Sequence, residues 1–169
     1  MKIFDCTTYF EEDMMMDLRF NILDPFVDKF VVCEARFTHS GNEKNINFNK
    51  KNYPKFEDKI IHLVLDTDPV EKNIKSKKNL HWLRQSSINR IEAQRNYISK
   101  ALAEADPNDY IIYSDNDEIP NLSEVNFKKN KMKILIFKQK LFYYKFNLAY
   151  PRVDWFGTKA CKLKDLKNI

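Results

Sequence analysis

Glycine is unusually scarce in this sequence, since only Gly41 and Gly157 occur among its 169 residues. A P-loop and a dinucleotide-binding turn both need several glycines at close spacing, because their backbone amides must approach a phosphate. The sequence therefore excludes both kinds of loop. If the protein binds phosphate groups, it must do so with a metal ion or with basic side chains.

Cysteines and long apolar runs are scarce as well. The three cysteines, Cys6, Cys33 and Cys161, include no CxxC pair. An odd number without a paired histidine argues against a disulfide framework or a zinc site, so we expect buried, reduced thiols. No apolar stretch near the N-terminus is long enough for a signal peptide or a membrane span. We therefore expect a cytoplasmic protein without a membrane-spanning segment.

Basic residues are in excess, with a formal net charge of +5. Nucleic-acid binding needs lysine and arginine clustered on one surface, whereas the lysines here are spread along the chain among many asparagines and isoleucines. That pattern indicates a compositional bias, and we expect no nucleic-acid partner. Hydrophobic residues make up 43% and aromatic residues 14% of the chain, which is typical of a globular protein. The length predicts one domain over residues 1–169.

Apolar runs alternate with amphipathic stretches over most of the chain. The patterns predict strands at 2–6, 30–33, 60–65 and 110–113, helices at 12–23 and 86–105, and a β-like run rich in Phe and Tyr at 134–146. Strands that alternate with helices predict an α/β layered fold with a mainly parallel central sheet.

The same patterns predict which side chains are buried. The predicted inner stripes are Met15, Leu18 and Ile22 in the first helix, and Ile88, Ile91, Ile98 and Leu102 in the second. His62 lies in an apolar strand, and we expect it to be a hydrogen-bonded core residue. The aromatic stripe of Phe142, Tyr143, Tyr144 and Phe146 is likewise expected to be core.

An acidic cluster, Asp115-Asn116-Asp117-Glu118, directly follows the strand predicted at 110–113. Ligands of open α/β sheets bind beyond the carboxyl ends of the strands, and three carboxylates so close together repel one another without a cation. Carboxylate oxygens are the ligands that Mg²⁺ and Mn²⁺ prefer. In an extended segment, Asp115 and Asp117 would converge on one side while Asn116 points away. The alternative is a solvated acidic turn.

Arg95 interrupts the apolar stripe of the second predicted helix, so we expect it to face inward. A buried guanidinium needs an anionic partner. Two interpretations follow: an ion pair with Asp115 or Glu92, or a contact to the diphosphate of a bound donor or to the metal-binding loop.

These motifs together resemble glycosyltransferase family 17, the family of the β-1,4-mannosyl-glycoprotein N-acetylglucosaminyltransferase, within the GT-A glycosyltransferases. The resemblance spans most of residues 1–120. The matching segments, in order, are Ile3-Phe4-Asp5-Cys6, Asp17-Leu18-Arg19, residues 27–35, Thr38-His39-Ser40-Gly41 with Lys44, residues 56–61, Glu92-Ala93-Gln94-Arg95 and residues 114–120.

The resemblance implies a GT-A-like (Rossmann-like) catalytic domain, minimal or C-terminally truncated relative to the family. It implies an inverting transfer of N-acetylglucosamine from UDP-GlcNAc to a glycan or another hydroxyl acceptor, with Mn²⁺ or Mg²⁺ as cofactor. By analogy, Asp115 would lie near the ribose or the metal, Asp117 would ligate the metal, Glu34 and Arg95 would line the nucleotide pocket, and Asp5 would lie near its base. Beyond the matching segments, Asp154 is the candidate catalytic base, because the neighbouring Trp155 could stack on a sugar. The alternative is a surface aspartate beside a core tryptophan.

Two other functions are compatible with the same residues. A nucleotidyltransferase could use the acidic pair to bind a nucleoside triphosphate, although it would be expected to carry a Gly-rich loop. A degenerate, non-catalytic family member could bind a sugar nucleotide without turnover, and the short segment after the acidic cluster favours this alternative. The acceptor, the exact sugar and the oligomeric state do not follow from the sequence.

Overall fold

The protein is described here from a computed structural model, in which residues 1–70, 79–145 and 147–167 are described. Within these ranges the strands are β1 (Ile3–Tyr9), β2 (Lys29–Ala35), β3 (Ile60–Leu65), β4 (Tyr110–Tyr113), β5 (Ile134–Ile136), β6 (Gln139–Phe142), β7 (Ala149–Trp155) and β8 (Lys159–Lys162). The α-helices are α1 (Asp13–Leu23) and α2 (Leu80–Tyr97), and a 3₁₀ helix (Ile98–Leu102) continues α2.

Six strands form the central sheet, in the order β3-β2-β1-β4-β8-β5. The first four are parallel to one another, and β8 is antiparallel to both of its neighbours. All strands of this sheet except β8 therefore run in one direction. The predicted α/β class with a mainly parallel sheet is confirmed, and so are the four strands predicted from apolar runs.

The sheet is buried on both faces, as expected for parallel strands that read as continuous apolar runs. One face packs against α1 and the loops around Phe56, where the rings of Phe20 and Phe30 lie 4.7 Å apart. The other face packs against the 3₁₀ helix through Ile98 and Leu102. These two layers hold the carboxyl ends of β1, β2 and β4 in fixed positions.

Helix α1 buries a different face from the one predicted. Its buried residues are Met16, Arg19, Phe20 and Leu23, whereas Leu18 and Ile22 are 45% and 44% exposed. Successive helical residues are about 100° apart around the axis. The observed buried face, which includes Arg19, is therefore displaced by one residue from the predicted apolar stripe. The prediction was wrong because a buried arginine was not anticipated.

Helix α2 differs from its prediction in the same way. It begins at Leu80 and its buried residues are polar, namely Ser86, Arg90 and Gln94, while Ile88 is 44% exposed. Gln94 donates from Nε2 to the carbonyl of Cys33, 2.8 Å away. Arg90 donates from Nε to Asp68, 2.9 Å away. The predicted apolar residues Ile98 and Leu102 are buried, but in the 3₁₀ helix.

The aromatic run predicted at 134–146 does not form one core strand. It divides into β5, in the central sheet, and β6, which pairs with β7 in a separate antiparallel sheet. We call residues 139–155 the hairpin. Phe142, Tyr143 and Tyr144 are 46%, 55% and 92% exposed, so their prediction as core residues was wrong, and Phe146 lies outside the described residues.

The cysteine prediction is confirmed, because Cys6, Cys33 and Cys161 are buried and free. Burial raises the pKa of all three thiols, that of Cys33 to about 12. They therefore stay protonated at neutral pH. Neither described α-helix combines the length and the apolarity that crossing a membrane requires.

Candidate active site

A cleft of about 250 Å³ opens at the carboxyl ends of three neighbouring strands. Tyr9 at the end of β1, Ala35 at the end of β2 and Asp115 just after β4 all lie in its wall. Lys44 and Arg95 add two cationic side chains from a loop and from α2. The cleft thus occupies the edge of the sheet at which α/β proteins bind ligands, and its walls carry both signs of charge.

Arg95 and Asp115 form an ion pair across this cleft. Arg95 Nη2 lies 2.9 Å from Asp115 Oδ1, and the two side chains are 36% and 50% exposed. Tyr113 donates its hydroxyl to the same oxygen, 3.4 Å away, and burial raises the pKa of this phenol, which keeps the proton on it. The predicted pair of Arg95 with Asp115 is confirmed. Because Arg95 is only partly buried, its guanidinium is also accessible to a ligand in the cleft.

The acidic cluster forms a turn, which we call the acidic turn (residues 115–118). The amide of Glu118 donates to the carbonyl of Asp115, 3.0 Å away. Asp115 and Asn116 line the cleft, whereas Asp117 and Glu118 line a separate groove. The prediction that an extended segment directs Asp115 and Asp117 to one side was wrong, since a turn rotates successive side chains in different directions.

Arg19 holds the acidic turn from beneath. Its side chain is fully buried and forms two hydrogen bonds with the Asp5 carboxylate, of 2.6 and 2.7 Å. Nη2 also donates to the Ser114 hydroxyl, 2.7 Å away. Nη1 donates to the carbonyls of Asp115, Asn116 and Glu118 at 3.2–3.3 Å. One guanidinium thus satisfies both the buried carboxylate and the backbone of the turn.

Asp5 therefore lies below the cleft and not in its wall. The side chain is 1% exposed, and each carboxylate oxygen accepts a hydrogen bond from Arg19. The resemblance implied that Asp5 lies near the base of the nucleotide pocket. In the structure, Arg19 connects Asp5 to the acidic turn beside the cleft. The sequence contained a signal for this pair, because an aspartate inside the apolar run of β1 needs a buried cation.

Glu34 is also buried and holds the loop that carries Lys44. Its carboxylate accepts hydrogen bonds from Lys44 Nζ and from the amides of Asn47 and Phe48. Burial alone would raise the pKa of Glu34, but the His62 imidazole, Lys44 and the two amides outweigh it and lower the pKa to about 2. Of this pair, Lys44 lines the cleft and Glu34 does not.

His62 departs from its prediction as a hydrogen-bonded core residue. Its Nε2 has no hydrogen-bond partner within the described residues and lies 3.6 Å from Glu34 Oε2. The ring packs against Phe48, with the ring centroids 4.9 Å apart. Its contact with Glu34 is therefore electrostatic and not a hydrogen bond at normal distance.

The depressed pKa of Glu34 predicts a specific dependence of stability on pH. Its pKa falls from a usual value of 4.5 to about 2 in the folded protein, so the ionised carboxylate stabilises the fold at neutral pH. This contribution is complete above pH 4.5 and is lost as the pH falls towards 2.

We expect urea unfolding of Glu34→Gln to show a large stability deficit at neutral pH that shrinks as the pH falls from 4.5 towards 2. Glu104→Gln, an exposed control, should show no such convergence, and a pH-independent deficit for Glu34→Gln would contradict the assignment.

Asp154 lies on β7 of the hairpin and does not line the cleft. Its carboxylate is 58% exposed and pairs with Lys138, 2.7 Å away. The adjacent Trp155 instead makes the contact with the acidic turn, donating from Nε1 to Glu118 Oε1 at 2.6 Å. The structure thus brings Arg95 and Asp115 together and places Asp154 apart from them.

The carboxylates of the acidic turn have the right chemistry for a hard cation. Among the described residues, no group of three or more His, Cys, Asp or Glu side chains is arranged to hold a metal ion. Mg²⁺ and Mn²⁺, however, are often held by one or two carboxylates, with substrate phosphates and water as the other ligands. No ion pair engages Asp117 within the described part of the chain. The two carboxylates thus have suitable chemistry for such a metal, but Asp115 and Asp117 line different cavities and do not converge on one point in this structure.

Several residues of the cleft, among them Lys44, Gln94 and His39, were not predicted as site residues. A hydrogen bond from Gln94 to the Cys33 carbonyl joins α2 to β2, and His39 lies in the wall of the cleft near Arg95. Burial and the Arg95 guanidinium lower the pKa of His39, which favours a neutral imidazole at neutral pH. Gln94 lies on the observed buried face of α2, which differs from the predicted one, and His39 lies in a loop with no periodic pattern, so apolar periodicity identified neither residue.

The sheet and its charged cleft define an α/β protein with a candidate ligand site at the carboxyl ends of parallel strands. The sequence model of glycosyltransferase family 17 matches residues 1–164. The chain belongs to glycosyltransferase family 17 and is a glycosyltransferase, in agreement with the prediction from its motifs. As such it uses a nucleotide-sugar donor and an acceptor. No curated protein and no solved structure matches the chain.

Proposed function

We propose that the protein is a GT-A-type enzyme that transfers N-acetylglucosamine from UDP-GlcNAc, with inversion, to a hydroxyl group of a glycan or similar acceptor. The observation that carries this proposal is the Arg95–Asp115 pair, which lies at the carboxyl ends of parallel strands in a family 17 chain. Membership of this family favours sugar transfer over nucleotidyl transfer.

Arg95 and Lys44 would bind the donor diphosphate. Both line the cleft, and the chain has no glycine-rich loop to supply amides instead. Charge-assisted hydrogen bonds to phosphate are among the stronger polar contacts in proteins. The cleft of about 250 Å³ shares Phe37 and Lys44 with a polar cavity of about 770 Å³. Typical ligand pockets measure roughly 300–1,000 Å³, so we expect the donor to extend from the cleft into this cavity.

Asp115, which lines the cleft, and Asp117, which lines the groove on the other side of the turn, would hold Mn²⁺ or Mg²⁺ together with the diphosphate oxygens once the acidic turn brings the two carboxylates together. Such a cation, when bound, neutralises the negative charge that grows on the departing UDP. Arg95 contributes to the same neutralisation from the opposite wall, and Arg19 keeps the turn in place from below. The carboxylates belong to the acidic turn, and both arginines contact it.

The acceptor oxygen would attack the anomeric carbon on the face opposite to UDP, as the bond to the UDP oxygen breaks. A carboxylate base must take the proton of the acceptor hydroxyl, which typically contributes ~10²–10⁴-fold to the rate. Asp154 is the base that we propose from the sequence. Because it is placed outside the cleft, this role requires the acceptor to lie against the hairpin.

The proposal is tested by thermal unfolding with UDP, GDP or CDP, each with Mn²⁺ or with a chelator. We expect UDP to raise the melting temperature clearly more with Mn²⁺, since a ligand that binds the folded state adds about 2.7 kcal/mol at 100 times its Kd. Equal shifts with all three nucleotides would overturn the uridine assignment. Equal shifts with and without Mn²⁺ would overturn the metal dependence.

Arg95→Met is the matched variant for this test. Loss of a charge-assisted hydrogen bond costs roughly 1.5–3 kcal/mol, so we expect the affinity for UDP to fall by about tenfold or more. Arg152→Met removes an exposed arginine from the hairpin, away from the cleft, and should leave the affinity unchanged. Calorimetry on both variants separates a contact to the diphosphate from a purely structural ion pair.

A further inference from the structure

A second cavity lies on the other side of the acidic turn. It measures about 550 Å³ and is enclosed by α1, the acidic turn and the hairpin. We call it the hairpin groove. Its apolar wall includes Leu18, Phe142 and Trp155, which are 45%, 46% and 43% exposed. Large apolar side chains gathered around one concave surface, with polar groups beside them, mark a binding site more often than a scattered surface residue does.

The polar side of the groove is held in place by three contacts around Glu118. Its Oε1 accepts from Trp155 Nε1 at 2.6 Å, and its Oε2 accepts from the amide of Asp115 at 3.1 Å. The carboxylate also packs against Gly157, where an added Cβ would lie 2.1 Å from Oε1. Gly157 is thus needed for this close approach. Both the indole and the carboxylate are therefore fixed in position before any ligand arrives, which lowers the entropic cost of binding.

The groove and the donor cleft are adjacent because they share the acidic turn. Asp115 and Asn116 line the cleft, and Asp117 and Glu118 line the groove. Sugar transfer needs a donor and an acceptor that meet at one point. A ligand seated in the groove would meet a donor seated in the cleft at this turn.

We propose that the hairpin groove is the acceptor subsite and that it binds a neutral saccharide; this inference rests on the proposed function. A pyranose has apolar C–H faces and a rim of hydroxyl groups. Trp155 and Phe142 offer apolar surface to such a face, while the side chains of Glu118, Asn121 and Gln139 offer hydrogen-bonding groups to the hydroxyls. Lys138 and Lys140 also line the groove, so its two carboxylates are balanced by two cations and the lining has no excess charge to attract a charged saccharide.

The test uses the two indole N–H signals of the ¹⁵N-labelled full chain, because Trp82 and Trp155 are its only tryptophans. The signals are assigned with Trp82→Phe and Trp155→Phe. The probes are N-acetylglucosamine, chitobiose, mannobiose and lactose, added to millimolar concentrations. We expect at least one of them to shift the Trp155 signal while the Trp82 signal stays in place. An unmoved Trp155 signal with every probe would overturn the proposal.

A pair of variants separates the groove from the rest of the hairpin. Trp155→Ala should weaken binding of the active saccharide by about tenfold, because it removes a large aromatic surface from the wall of the groove. Tyr150→Ala removes an aromatic residue of the same strand that is 45% exposed and lies outside the groove, and it should leave binding unchanged. Equal losses in both variants would overturn the proposal.

The thermal shift by UDP with Mn²⁺ is recorded on the same samples. Phe142→Ala, which removes another aromatic side chain of the groove and no hydrogen bond to the acidic turn, should retain the full shift, because Phe142 does not line the donor cleft. Saccharide binding without any UDP shift would support the groove and overturn the proposed donor. A UDP shift without saccharide binding would support the donor and overturn the groove.

Discussion

Replacing Arg19 by methionine is expected to lower the free energy of unfolding by about 3–5 kcal/mol, the range found when one partner of a buried ion pair is removed. The Asp5 carboxylate would stay buried at 1% exposure without its cation. Three carbonyls of the acidic turn would also lose the hydrogen bonds from Arg19 Nη1. Urea unfolding at neutral pH measures the loss.

The control for Arg19 is Arg36→Met, which breaks an ion pair with Asp66 whose side chains are 53% and 64% exposed. Exposed pairs contribute about 0–1 kcal/mol, so this variant should remain close to the parent protein. The double variant Arg19→Met with Asp5→Asn should be more stable than Arg19→Met alone, because no buried charge is left unpaired. A loss below about 1 kcal/mol for Arg19→Met would contradict the buried role.

Asp117→Asn is expected to abolish the Mn²⁺-dependent part of UDP binding. The substitution keeps the size of the side chain and removes the charge that a hard cation needs. Asp117 is exposed and is engaged by no ion pair within the described residues. Without ligands, the variant should therefore be as stable as the parent protein or slightly more stable, since repulsion from Asp115 and Glu118 is reduced. Thermal unfolding with and without Mn²⁺ and UDP separates the two effects.

Asp154→Asn is the matched control for Asp117→Asn. It removes another exposed carboxylate, which pairs with Lys138 outside the cleft, and it should retain the full Mn²⁺-dependent shift. Its rate of sugar transfer tests the separate proposal that Asp154 is the base, for which a decrease of ~10²–10⁴-fold is expected. Full Mn²⁺-dependent UDP binding by Asp117→Asn would contradict its role as a metal ligand.

The strands of the central sheet were predictable because they are local features. The apolar runs at 30–33, 60–65 and 110–113 correspond to β2, β3 and β4, and a covered parallel strand needs no partner information to be recognised. The helices were located, but their buried faces were not. In both helices the buried face contains polar residues, such as Arg19 and Gln94, whose partners lie elsewhere in the chain.

Only part of the candidate site could be predicted from the sequence. The ion pair of Arg95 with Asp115 was one of the interpretations that the sequence left open, and the structure selects it over a pair with Glu92. Arg19 escaped prediction although its segment belongs to the family motif, because a pattern of apolar residues treats arginine as exposed. Trp155 was noticed only as the neighbour of Asp154, whereas it is Trp155 that contacts the acidic turn.

By itself, the sequence determined the α/β class, the family and the strand end at which the acidic cluster lies. Those features depend on neighbouring residues, whose spacing is visible along the chain. Only the tertiary structure decided that Asp115 and Asp117 line different cavities, that Arg19 is buried, and that Trp155 reaches Glu118. Whether a polar group is buried depends on the free energy of its hydrogen bonds to distant partners, and no local pattern records where the fold will place them.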